Sequence, residues 1–129
     1  MKFDNQYLTY LEYRELGGKL LEMPFNLLER DIEKEIDLVT SSRFKKITKD
    51  EYPEDLKLCV YDLMEKLPKY NFSTISSESV GNYTKVNKSN EEIKKERNEI
   101  ISRATKKYLS DIKVNNIYVL YNGADIDGN

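Results

Sequence analysis

The sequence predicts a mostly α fold: a small helical bundle of one short and three long helices. A long polar arm or hairpin lies between the last two long helices, and a C-terminal strand and tail follows. Three observations predict it. Apolar residues recur at three- and four-residue spacing through three long segments. Residues that start and stop helices bracket those segments. One run only, "IYVLY" at residues 117–121, is strongly strand-like in composition.

The first helix is short, from about Tyr10 to Leu16. Thr9 and Glu12 have capping-box spacing, in which each side chain satisfies an orphan N–H at the helix start. Gly17 and Gly18 supply the left-handed conformation that closes a helix. A second helix runs from about Glu22 or Pro24 to Thr40, with Phe25, Leu28, Ile32, Ile36 and Val39 as its apolar stripe. Pro24 suits the first turn, where its missing N–H costs nothing. A basic connector follows, with Phe44 and Ile47 expected on the core.

The third helix opens at "PEDLKL", with Pro53 expected at its first position and Glu54 and Asp55 complementing the positive helix end. Leu56, Cys59, Val60, Leu63, Met64 and Leu67 give it a broad buried face, and Pro68 marks its end. The polar arm, residues 71–90, has scattered apolar residues and a Gly81-Asn82 pair suited to a two-residue turn. Connectors of this length in a compact domain tend to be functional or disordered. Ser89 and Glu92 offer a second capping box. The fourth helix reaches about Leu109 or Ser110, with Ile93, Ile100, Ile101, Ala104, Tyr108 and Leu109 on its core face. The division expected is a helical domain over residues 1–111, arm included, and a docking strand and tail over residues 112–129. A lone strand leaves its backbone groups needing a partner.

The composition narrows the chemistry. The chain has 129 residues, enough for one domain with a real core. It carries 21 basic and 23 acidic residues, a balance that argues against tight nucleic-acid binding. It has no histidine, so the usual general base and commonest metal ligand are missing. Its single cysteine rules out an internal disulfide and points to a cytosolic origin. "MKFDNQYLTY" lacks an apolar signal core, and no apolar run approaches the roughly 20 residues that span a bilayer. The ten tyrosines suit half-wet surfaces and interfaces.

Each candidate constellation has a bland reading beside a functional one. Glu29, Glu33 and Asp37 are four apart and line one face of the second helix. They read as a solvated face, as acid–base or metal-binding carboxylates, or as an acidic wall that repels a polyanion. Arg43, Lys45, Lys46 and Lys49 make a basic connector, either a phosphate contact or an ordinary exposed loop. Cys59 reads as a buried, inert thiol. Tyr118 and Tyr121 are either interface anchors or part of the chain's own packing. No reaction is identified, and no enzymatic activity and no cofactor are expected.

Three pieces in order carry a resemblance: "YLTYLEYRELGGKL…FNLLE", then "PEDLKLCVYDLMEKL", then "SSESVGNYTKVN" followed by a charged helix ending in "YLSD". This order, spanning about Tyr7 to Asn122, resembles the head–tail connector (adaptor) proteins of long-tailed bacteriophages and prophages. "YxTYxEYxELGG" and "SESVGxY" are its specific parts. The resemblance implies a helical subunit of a homo-oligomer, a twelve-fold ring under the portal protein in the virion neck, made in the bacterial host cytoplasm. It implies a C-terminal segment docked on the portal, here Ile117, Tyr118, Val119, Leu120 and Tyr121. It implies an arm near a downstream neck (stopper or tail-terminator) protein or an adjacent subunit, here Ser77, Glu78, Val80, Gly81, Asn82 and Tyr83. DNA passes through such a ring without specific binding, and no membrane is involved. Glu29, Glu33 and Asp37 would then line the channel. The last residues, "GADIDGN", match no family signature. The rival readings are a free-standing helical interaction or nucleic-acid-binding regulatory module, and a metal-dependent hydrolase built on the acidic helix.

Overall fold

In a computed structural model, which describes residue 3, residues 5–67 and residues 90–121, the expected helical bundle is present with a small sheet near the C-terminus. The order is α1 (Tyr10–Glu15), α2 (Glu22–Thr40), two 3-10 turns (Arg43–Lys46 and Lys49–Glu51), α3 (Glu54–Lys66), α4 (Asn90–Leu109), β1 (Lys113–Val114) and β2 (Ile117–Tyr118).

The capping box of α1 forms as expected. The Glu12 N–H donates to Thr9 Oγ1 at 3.2 Å, and the Thr9 N–H donates to Glu12 Oε1 at 3.0 Å. Gly17 takes φ +101°, and the Gly18 N–H donates back to the Tyr13 carbonyl at 3.0 Å. Tyr13 then folds over Gly18, and its hydroxyl oxygen accepts the N–H groups of Lys19 and Leu20, each at 3.0 Å. The passage from α1 to α2 is therefore pinned by Tyr13, with the Tyr10 hydroxyl donating to the Leu20 carbonyl and Arg14 to the Gly18 carbonyl, each at 2.9 Å.

α2 buries Phe25, Ile32 and Ile36. Val39 does not join this stripe; it is exposed, because Thr40 takes the core position and donates its hydroxyl to the Ile36 carbonyl at 2.8 Å. The helix ends without glycine, through Ser41 and Ser42 in the left-handed region. Phe44 is fully buried and Ile47 packs beside it. Pro53 is the residue before α3 rather than its first residue. All six apolar positions expected on α3 are buried, including Cys59, whose thiol is pushed up to about 12 by burial and the nearby Asp62 charge. α3 packs chiefly on α4, which contributes Ile93, Ile101, Ala104 and Leu109 to the buried interior.

The lone strand expected over residues 117–121 is corrected. β1 and β2 pair antiparallel, with Lys113 opposite Tyr118 and Val114 opposite Ile117. Asn115 and Asn116 make the turn with φ of 53° and 67°. Two left-handed residues in a two-residue turn match the right-handed strand twist, and asparagine tolerates that conformation. The strand's partner among the described residues is thus "KV" four residues upstream. Val114 and Val119 are buried in the same cluster as the helices. The arm over residues 71–90, with Ser77, Glu78, Val80, Gly81, Asn82 and Tyr83, lies outside the described residues apart from Asn90, which opens α4.

Candidate functional site

Glu29, Glu33 and Asp37 of α2 turn toward the N-terminal segment and the basic connector, whereas Glu22 and Asp31 stay exposed. Glu29 is 1% exposed, and its Oε2 accepts the N–H groups of Tyr7 (2.9 Å) and Leu8 (3.4 Å). Glu33 accepts from Lys45 Nζ at 2.9 Å, and Asp37 accepts a short hydrogen bond from the Tyr7 hydroxyl. Lys45 lies 4.4 Å from the Tyr7 ring centroid, and Tyr52 meets that ring edge-on. Glu29 and Asp37 therefore strap Tyr7 and Leu8 to α2, while Glu33 holds Lys45 beside them. A buried Glu29 cannot line an aqueous channel, so the expected channel face fails at that residue. Helical spacing put the three on one side; it did not say which side the N-terminal segment covers.

Burial, then the adjacent Glu33, raises the Glu29 carboxyl to about 9. Burial also raises Asp37, despite the Tyr7 hydroxyl and Lys45. A carboxyl raised on folding stabilises the fold fully below its unfolded value and loses that contribution as pH climbs through its folded value. Glu29→Gln keeps an acceptor for the Tyr7 N–H and gives Glu33 a donor without a proton to lose. We expect this variant to gain up to about 4 kcal/mol over wild type between pH 5 and pH 8, at about 1.4 kcal/mol for each pH unit. Urea melts at the two pH values measure it; an unchanged difference between the proteins would contradict the assignment.

The basic connector is largely spent within the fold. One Arg43 nitrogen donates to the carbonyls of Thr40 (3.3 Å), Val119 (3.1 Å) and Tyr121 (2.7 Å), and the guanidinium sits 5.7 Å from the Tyr121 ring centroid. Lys45 serves the Tyr7 network. Lys46 and Lys49 remain exposed. Arg43 thus clamps the end of the hairpin onto the end of α2, a role that a basic run in a sequence does not announce. The signal missed in the hairpin itself was "VNNI": two asparagines between apolar residues are a turn signature.

The five residues expected to dock on a partner divide. Val119 is fully buried. Leu120 and Tyr121 are partly covered. Ile117 and Tyr118 are exposed, with Lys113 Nζ 4.6 Å from the Tyr118 ring centroid. A partner could touch those two without disturbing the core.

Other large apolar side chains also face outward. Leu11 on α1, Leu21 just before α2, and Met23, Leu27 and Leu38 on α2 are exposed. An open cleft of about 670 Å³ lies between the N-terminal segment, α1 and the start of α3, lined by Phe3, Gln6, Thr9, Leu11, Lys49 and Tyr52 among others. Its Lys57 and Glu12 are paired with each other. Among the described residues, no group of three or more His, Cys, Asp or Glu side chains is placed to hold a metal ion. No helix among them is long and apolar enough to cross a membrane. Comparison of the chain with protein-family models, curated proteins and solved structures returns no match.

Proposed function

We propose that this chain is a structural adaptor: a head–tail connector subunit that assembles as a ring under the portal of a long-tailed phage particle, joins it to the next neck protein and lets DNA pass. On this reading it catalyses no reaction and takes no cofactor. The observation that carries the reading is the distribution of side chains. The acidic network is turned inward, while Leu11, Leu21, Met23, Leu27 and Leu38 are left in water. Burying side chains such as these against another protein removes apolar area from water, which favours association. The order of "YxTYxEYxELGG" and "SESVGxY" along the chain supports the particular assembly. Ile117 and Tyr118, the exposed part of the hairpin, are the portal contacts this reading keeps.

The test is binding to a portal protein from the same phage genome. Purified chain mixed with portal rings should co-sediment with them and add a layer of matching rotational symmetry in electron micrographs. A chain that ignores the portal, or binds duplex DNA firmly in moderate salt, would favour the regulatory reading instead.

A further inference from the structure

α2 carries, on its outer face, a seam whose pattern is self-complementary. Leu27, Asp31, Lys34 and Leu38 are spaced four, three and four apart. At 3.6 residues per turn they fall within an arc of about 60°. That is the spacing of the contact positions of a two-helix coiled coil. All four are exposed, Leu27 at 49% and Leu38 at 78%. Neither Asp31 nor Lys34 makes an ion pair with another described residue.

We infer that this seam is the contact surface for a second copy of the chain, the two α2 helices running antiparallel. Charge chooses both orientation and register. A parallel, in-register pair would set Asp31 against Asp31 and Lys34 against Lys34 of the second copy, which is repulsive. An antiparallel pair with its two-fold axis between positions 32 and 33 sets Asp31 against Lys34 and Leu27 against Leu38, each twice. Sliding the pair by one heptad sets a leucine against a charge. One register therefore satisfies the apolar and the charged positions together. Met23 extends the seam at its end.

A two-fold contact uses the same patch on both copies and closes at two, so it does not by itself build a ring. The inference goes beyond the adaptor reading and concerns the free subunit. A single helix pair buries less than the roughly 1,200 Å² of a standard interface, so the dimer is weak and concentration-dependent.

The test uses cysteine cross-linking, with the native Cys59 buried and out of reach. Leu27→Cys and Leu38→Cys are made as separate proteins. In the proposed register, position 27 of one copy faces position 38 of the other. Equivalent positions lie about 16 Å apart along the axis, well beyond the roughly 7 Å limit for a disulfide. The mixture should therefore give a reducible dimer under mild oxidation, and neither protein alone should. In parallel, sedimentation of the intact chain up to about 1 mM should reveal a dimer. Asp31→Lys or Lys34→Asp should weaken it on the order of tenfold or more, and the two together should restore it. A monomer throughout, a cross-link formed by either cysteine protein alone, or a charge swap that fails to restore association would overturn the inference. Loss of portal binding with the dimer intact would instead bear on the adaptor reading alone.

Discussion

Truncation after Asp111 is expected to destabilise the whole fold by about 5 kcal/mol. The deleted segment supplies Val114 and Val119 to the common core, with Ile112 and Leu120 packed against it. Burying a valine or leucine side chain is worth about 1.5–3 kcal/mol, so the loss is on the order of 5 kcal/mol. Total stability for a domain of this size is about 5–15 kcal/mol, so the loss takes between about a third and all of it. The deletion also strips Arg43 of two acceptors, the Val119 and Tyr121 carbonyls. Val119→Ala isolates the packing part and should cost about 2 kcal/mol. Urea melts followed by circular dichroism read both. A truncated protein with an unchanged midpoint would mean that the hairpin is an appendage, available whole to a partner.

Gly18→Ala is expected to be far more damaging than Gly17→Ala, the other glycine change among the described residues. A β-carbon at Gly18 would overlap ring atoms Cζ, Cε1 and Cε2 of Tyr13. Ring atoms in a packed site cannot give way as a flexible chain end can. Tyr13 lies 4.8 Å from Phe25 and 5.9 Å from Tyr61, centroid to centroid, and its hydroxyl holds two backbone N–H groups. Displacing it forfeits stacking and hydrogen bonds together, at a cost of about 3 kcal/mol or more. Gly17→Ala is the comparison. Its new β-carbon meets only the Tyr61 hydroxyl at an ordinary 3.7 Å, and the penalty is the left-handed φ of +101°, about 1–2 kcal/mol. Thermal melts and near-ultraviolet tyrosine dichroism separate the two; equal losses would contradict the account of Tyr13.

The helices were legible because each signal is local. Thr9 and Glu12, Pro24, Pro53 and the apolar positions of α3 act within a turn or two of themselves, so spacing in the sequence is spacing in space. What was not legible depends on long-range partners. Glu29 looks like any exposed helix carboxylate until residues 7 and 8 fold across it. Arg43 looks like part of a basic loop until the carbonyls of residues 119 and 121 arrive beside it, more than seventy residues along the chain. The hairpin was a different failure. Asn115-Asn116 is a local signal, but "KV" is too short a run to stand out as a strand beside "IYVLY". The outer face of α2 was hidden for a third reason. Its leucines differ from core leucines only in which side of the helix they occupy, and the inner stripe had already claimed the helix as amphipathic.

The most direct test of the adaptor reading is quantitative mass spectrometry of purified phage particles that encode this chain. The account predicts that the chain is a component of the particle, in the same copy number as the portal protein. A particle that lacks the chain, with the protein found only in the lysate of infected cells, would contradict it.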